Sequence, residues 1–367
     1  MYSYIPFLKL KVSEIGALKE LKESKKKELV PFFDFPRKKP KKSRYDEAAK
    51  KDKNELFYND LNRLESKFRT NLGWLNEFYL DNYDVEDGIS ISKRYNYFDI
   101  IEKFSKFGMI PVIALDRHPE HINSIYEGFK NGVFVRKNVA MRLTRDFFCN
   151  YILFKDELID VIDGLLPFID NVDFIFDCRV CKEDDSKLVS KQIIDFINNL
   201  IKDKSEIPLG RVITTGSMIP ASISELIETQ SEMDVLREEI RIYSEVHKAF
   251  QNETNIHFGD YGAVSPDYSD IELFDEDMQN VTTAKIIYPY DDRIYIRRGG
   301  RVKGDKYQYN VFAEYIVSKS GFYRGVDYSS GDLYLHQKAN YEGKSVTAAS
   351  IVKPLVNLHL SYMILER

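Results

Sequence analysis

Short apolar runs in this chain stop abruptly on a charge. Leu29–Phe33 stops at Asp34, Glu77–Leu80 at Asp81, and Ile110–Leu115 at Asp116 and Arg117. Val139–Met141 stops at Arg142, Val172–Phe176 at Asp177, and Asn255–Gly259 at Asp260 and Tyr261. Arg211–Thr215 ends on Gly216 and Ser217 instead. Helical patterns follow most of these runs. They are predicted at 54–69, 97–107, 120–130, 156–169, 186–202 and 309–319, with one long helical stretch over 222–250.

An eighth run, Ala284–Tyr288, leads through Asp291 and Asp292 into the extended Ile294–Arg297, which reads as a hairpin. Eight strands alternating with helices predict a (β/α)8 TIM-barrel-like domain over 1–300, with a last helix and C-terminal extension over 301–367. A doubly wound open sheet is the alternative. The chain has no GxGxxG after its first strand and no GxxxxGK[ST], which counts against the common dinucleotide and nucleoside-triphosphate folds.

In a barrel, the C-terminal strand ends converge on one mouth. Asp34, Asp81, Asp177 and Asp260, with Tyr261, are therefore candidate acid–base groups. Asp34, Asp177 and Asp260 are candidate ligands for Mg2+ or Mn2+, because hard carboxylates suit those ions better than zinc. Arg142 and Ser217 are candidate ligand-binding groups. Each Asp alone is equally a helix N-cap; the repeated position is what suggests a site.

Charge is uneven along the chain. Between Arg37 and Lys53, nine Lys/Arg against three acids give a local +6, leaving −11 on the rest of a chain whose total is −5. A run after the first predicted strand belongs at the mouth. It reads first as a solvated loop and second as a weak nucleic-acid or polyanion contact. Tyr45 is the only aromatic inside it.

His118 and His121 form HxxH, and Cys178 and Cys181 form CxxC, both without the further ligands a metal site needs. Three cysteines make no disulfide framework, and no apolar stretch approaches the ~20 residues of a membrane span. The start lacks a cationic segment before its apolar residues, so no signal peptide is expected. The expected setting is a reducing cytoplasm, with no membrane contact.

Several runs taken in order carry a resemblance. They are YIPFLKLKVSEIGALKEL, VPFFDFPR, IPVIALDR, VAMRLTRD, FIFDC, VITTGSMIPASISEL, LREEIRIY, FGDYGAVSP, IRRGG, YSSGDLYLHQKA and VNLHLSYM. This order resembles the phage Beta protein family of tailed phages and bacterial genomes, from about Tyr4 to Met363. The resemblance implies a phage or mobile-element setting and supplies no reaction.

It adds Arg37, Arg298, Gly299, Asp332 and His359 as site candidates. Arg298 and Gly299, after the eighth run, suit an anionic group. Asp332 and His359 are expected to fold back over the mouth, and Arg237 and Glu239 to form a structural bridge. Relatives tend to carry two adjacent histidines near the end, where this chain has Asn357 and a single His359.

Two functions of different class follow. One is a hydrolase of a phosphoester or nucleotide. The other is a non-catalytic protein of phage–host conflict that binds a protein partner, an anionic small molecule or a nucleotide.

Overall fold

The structure, a computed structural model, describes residues 4–37, 52–91, 93–250, 255–268, 277, 281–319 and 321–366. The chain opens with β1 (Ile5–Lys9), α1 (Val12–Lys19), β2 (Phe32–Asp34), α2 (Lys53–Leu72) and β3 (Phe78–Asp81). A short hairpin of β4 (Ser90–Ile91) and β5 (Arg94–Tyr95) precedes α3 (Asn96–Phe104). Then come β6 (Met109–Ile113), α4 (Pro119–Lys130), β7 (Asn138–Thr144), α5 (Arg145–Phe148) and α6 (Tyr151–Leu165). Next are β8 (Asn171–Val180), α7 (Ser186–Asp203), β9 (Leu209–Ser217), β10 (Ser231–Leu236), α8 (Glu238–Phe250) and β11 (Ile256–Asp260). The chain closes with β12 (Thr283–Tyr290), β13 (Arg293–Arg301), α9 (Gln308–Ser318), α10 (Ser330–Ala339) and α11 (Val352–Glu366).

Eight parallel strands close into a barrel in the order β1-β11-β9-β8-β7-β6-β3-β2. The fold is therefore the TIM-barrel-like (β/α)8 class, but its membership differs from the sequence expectation at both ends. The barrel's first strand is Ile5–Lys9, buried on both faces. It ends on Lys9 and contains Pro6, so nothing in it matches the Asp-terminated pattern. Ala284–Tyr288 is not a barrel strand: it lies in an antiparallel sheet of order β10-β13-β12. The stretch 222–250, expected as helix, holds β10, because pairing with β13 overrides the helix preference of its Glu, Met and Leu. The expected C-terminal extension contains α10 and α11, and α11 packs against α1 and β12.

Two apolar layers result. One lies between barrel and helices. The other fills the barrel, with Phe7, Phe32, Tyr79, Val112, Ile175 and Ile213 among its members. Side chains alternate along a strand, so the residue two beyond an interior one also points inward. Phe7 is followed by Lys9, Phe32 by Asp34, Tyr79 by Asp81, Ala140 by Arg142, and Ile175 by Asp177. This alternation delivers the charges to the top of the interior. Below, Tyr79 donates to Asp173 (2.7 Å), and Arg211 donates to Tyr79 (2.9 Å) and Glu77 (2.6 Å), closing the opposite end.

The seam between β1 and β11 pairs Ile5 with Gly259. A Cβ at Gly259 would stand 2.7 Å from both the Ile5 carbonyl and the Phe7 ring, so only glycine lets the strands close. Among the described residues, no helix is long and apolar enough to cross a membrane.

Phe7 is fully buried and stacks on Phe32 with ring centroids 4.3 Å apart. Phe7→Ala is expected to lower unfolding free energy by ~3–5 kcal/mol, measured by urea denaturation. A loss under about 1 kcal/mol, the range of a surface change, would mean that β1 is not a barrel strand.

Candidate functional site at the barrel mouth

Arg142, from β7, lies at the centre of the mouth. Its Nη1 donates to Asp34 and Asp81, both at 2.7 Å. Its Nε and Nη2 donate to Asp177 at 3.0 and 2.7 Å, and Nη2 also reaches the Tyr261 hydroxyl at 2.9 Å. Tyr261 donates to Asp177 at 2.6 Å. All five side chains are buried. Burial alone would raise the Asp34 and Asp177 carboxyls, but Arg142 first, with Arg179 and, for Asp34, Lys9, together outweigh it and both sit below the usual range. Burial opposes the Arg142 charge in the same way, and the three acids with Tyr261 hold it firmly protonated.

A second shell of cations surrounds this cluster. Lys9 lies 3.7 Å from Asp34 and pairs with Asp84 at 2.5 Å. Arg117 donates to Asp81 at 3.1 Å. Arg179 donates to Tyr261 at 3.1 Å and the Pro266 carbonyl at 3.0 Å, and pairs with Asp267. The Tyr83 ring is flanked by three guanidiniums, those of Arg179, Arg117 and Arg142, at 4.3, 4.5 and 4.6 Å from its centroid.

Arg179 has φ +52°, the left-handed region that non-glycine residues avoid. Its amide donates to Asp177 at 2.9 Å, which fixes that turn. Sequence reasoning missed Arg179, Tyr83 and Lys9. The available signal was spacing: Arg179 and Tyr83 each stand two residues past a strand-end Asp.

Asp260 belongs to a separate cluster. It accepts from Tyr4 (2.6 Å), from Arg237 and from the Gly262 amide (3.0 Å), and its carboxylate lies 3.0 Å from His359 Nε2. Burial would raise the Asp260 carboxyl; His359 first and Arg237 next hold it far below the usual range. Arg237 also donates to Glu239 at 2.8 Å. Asn357 bridges the Ala17 carbonyl (2.9 Å) and the Gly331 amide (3.0 Å), a packing role.

Of the remaining candidates, Ser217, at the end of β9, and Arg37 stand at the mouth, and Arg298, Gly299 and Asp332 do not. Arg298 lies in the small sheet and donates to the Ile227 carbonyl at 2.7 Å. Gly299 lies beside it, where a Cβ would meet Gln308 at 2.3 Å and Phe312 at 2.8 Å, so it is the contact point of α9 on β13. Asp332 accepts from Tyr288 at 2.6 Å and from Ser329, the N-cap of α10. Ser217 caps the turn after β9 through the Ile219 amide, at 3.0 Å. Arg37 does reach the mouth, with its guanidinium 4.5 Å from the Tyr268 ring centroid.

Most of the basic run, residues 38–51, lies outside the described residues. Both flanking residues stand at the mouth, since Lys53 pairs with Glu86 at 2.5 Å.

The expected metal set does not form. Asp34 and Asp177 share one guanidinium, and Asp260 is held by Arg237, His359 and Tyr4. Among the described residues, no three His, Cys, Asp or Glu are grouped to hold an ion. His121 is buried against the Val112 carbonyl (2.8 Å) and stacks on Tyr97, while His118 caps α4. Cys178 and Cys181 are both buried free thiols.

The chain belongs to the Beta protein family: the family model described as Beta protein matches residues 4–365. No curated protein matches it.

Removing Arg142 takes away the cation shared by three buried carboxylates and leaves them only the flanking Lys9, Arg117 and Arg179. Arg142→Met is expected to destabilise the fold by ~3–5 kcal/mol or more, and denaturation at neutral pH measures it. A loss below about 1 kcal/mol would show the cluster to be solvated.

Burial pushes the His121 imidazole down to about 4, against the pull of Asp81. The unfolded chain, with its imidazole near ~6.5, then binds a proton that the folded chain refuses. Stability should be full above that value and fall by about 3 kcal/mol as pH drops toward 4. His121→Gln is expected to flatten this slope; an unchanged slope would assign it to other groups.

Proposed function

We propose that this member of the Beta protein family is a ligand-binding barrel that takes an anionic small molecule or nucleotide at its mouth. The phage–host setting comes from the resemblance alone. The division of charge supports the binding reading. Inside, Asp34, Asp81 and Asp177 are buried and already bonded to one guanidinium. Outside lies an open cavity of about 390 Å3 lined by Arg37, Arg179, Tyr83 and Tyr268.

Guanidiniums braced on aromatic faces suit phosphate and carboxylate oxygens, and the rings suit a flat base. The three acids of the same rim are each paired: Asp84 with Lys9, Glu86 with Lys53, and Asp267 with Arg179. Arg37, the described start of the basic run, adds positive charge at this entrance.

Hydrolysis is the weaker reading. A general base or metal ligand needs an accessible lone pair at the reacting atom, and these carboxylates face a guanidinium instead. The pairing of Asp260 with His359 offers no nucleophile beside it.

Thermal melting with inorganic phosphate, pyrophosphate and a nucleotide panel, with and without Mg2+ or Mn2+, tests the proposal. A phosphorylated ligand at 100 times its Kd is expected to raise Tm by a few degrees, equivalent to about 2.7 kcal/mol. Arg179→Met should abolish the shift, and the metals alone should give none. A shift from metal alone, together with phosphate release from a nucleotide, would overturn the binding reading in favour of hydrolysis.

A further inference from the structure

A second cavity of about 640 Å3 opens beside the ends of β1, β9 and β11, between the barrel and the small sheet. Its volume falls within the ~300–1,000 Å3 usual for ligand sites. β12 turns one face into it, because Thr283, Lys285 and Ile287 alternate along the strand. The start of α11 forms another wall through Ile351, Val352 and Leu355. The lining is mostly apolar, with Lys285 set among these residues.

Lys285 has no ion-pair or hydrogen-bond partner for its ammonium among the described residues. Burial, and next the like charge of Arg298, press it toward the neutral form. Two acids line the same cavity, Glu14, which accepts from Ser13, and Asp267, which pairs with Arg179, and Lys9 and Lys11 line it as well. A partly buried cation beside another cation gains when an anion meets it.

We propose that this cavity binds an organic anion with one small anionic head on an apolar body. The head, a carboxylate or a phosphate, sits on Lys285. The body lies against Ile287, Ile351 and Leu355. The site is separate from the mouth cavity, the two sharing only Asp267 and Tyr268, and its ligand class differs in needing an apolar body.

Calorimetric titration with octanoate, octyl phosphate and 1-octanol tests it on the full chain. At least one of the two anions is expected to bind ten or more times tighter than the alcohol, and the better anion identifies the head. Lys285→Met should bring that anion to the level of the alcohol, with a melting temperature no lower than that of the unaltered chain. Lys285→Arg should keep the discrimination. Equal affinity for anions and alcohol, unchanged anion affinity in Lys285→Met, or no binding of either millimolar octanoate or millimolar octyl phosphate would overturn the proposal. The comparison of anions with alcohol uses the unaltered chain, so it stands even if a variant fails to fold.

Discussion

One guanidinium organises the top of this barrel. Arg142 satisfies Asp34, Asp81 and Asp177 from three other strands, and Tyr261 shares the bond to Asp177. Each of those carboxylates would be a poor occupant of a dry interior by itself. Together with the cation they form a layer that packs directly above Phe7, Phe32 and Ile175. The polar layer therefore acts as a keystone: through one side chain the paired strands β2 and β3 are tied across the barrel to the paired strands β7 and β8. The opposite end repeats the device with Arg211, Tyr79, Asp173 and Glu77.

Much of this was legible in the sequence. An apolar run ended by Asp places that Asp two residues beyond an interior position, so Asp34, Asp81, Arg142 and Asp177 could be expected to meet. What the pattern could not convey is what each charge meets. Acids that could chelate a metal and acids that brace an arginine look the same in one dimension. Asp34, Asp177 and Asp260 brace guanidiniums and an imidazole. β1 escaped because it ends on Lys9, whose partner Asp84 lies far along the chain. Arg298, Gly299 and Asp332 looked like site residues because their surroundings are rich in Gly, Ser and charge. Arg298 contacts a carbonyl, Gly299 allows a close helix–strand approach, and Asp332 accepts from Tyr288 and from the cap residue Ser329.

The mouth thus has two parts with different physics. The inner layer is dry, saturated and rigid. The rim is wetter, and its arginines rest on tyrosine rings, Arg179 pairing with Asp267 as well. Fixing Arg179 in a left-handed conformation costs on the order of 1 kcal/mol. Asp177 holds it there, so the inner layer also positions the rim. A change in the inner layer would therefore reach the ligand-facing groups without touching them.

The Asp260 carboxylate is approached by Tyr4, which precedes the first strand, and by His359, which lies in the last helix. During synthesis these contacts become available at very different times. Tyr4 emerges with the first residues, while His359 is made almost a hundred residues after the carboxylate it binds. The β1–β11 seam is thus fastened by groups from opposite extremes of the chain. The growing polypeptide can pair β1 with β11 as soon as both are made, but the His359 contact at this seam waits for α11.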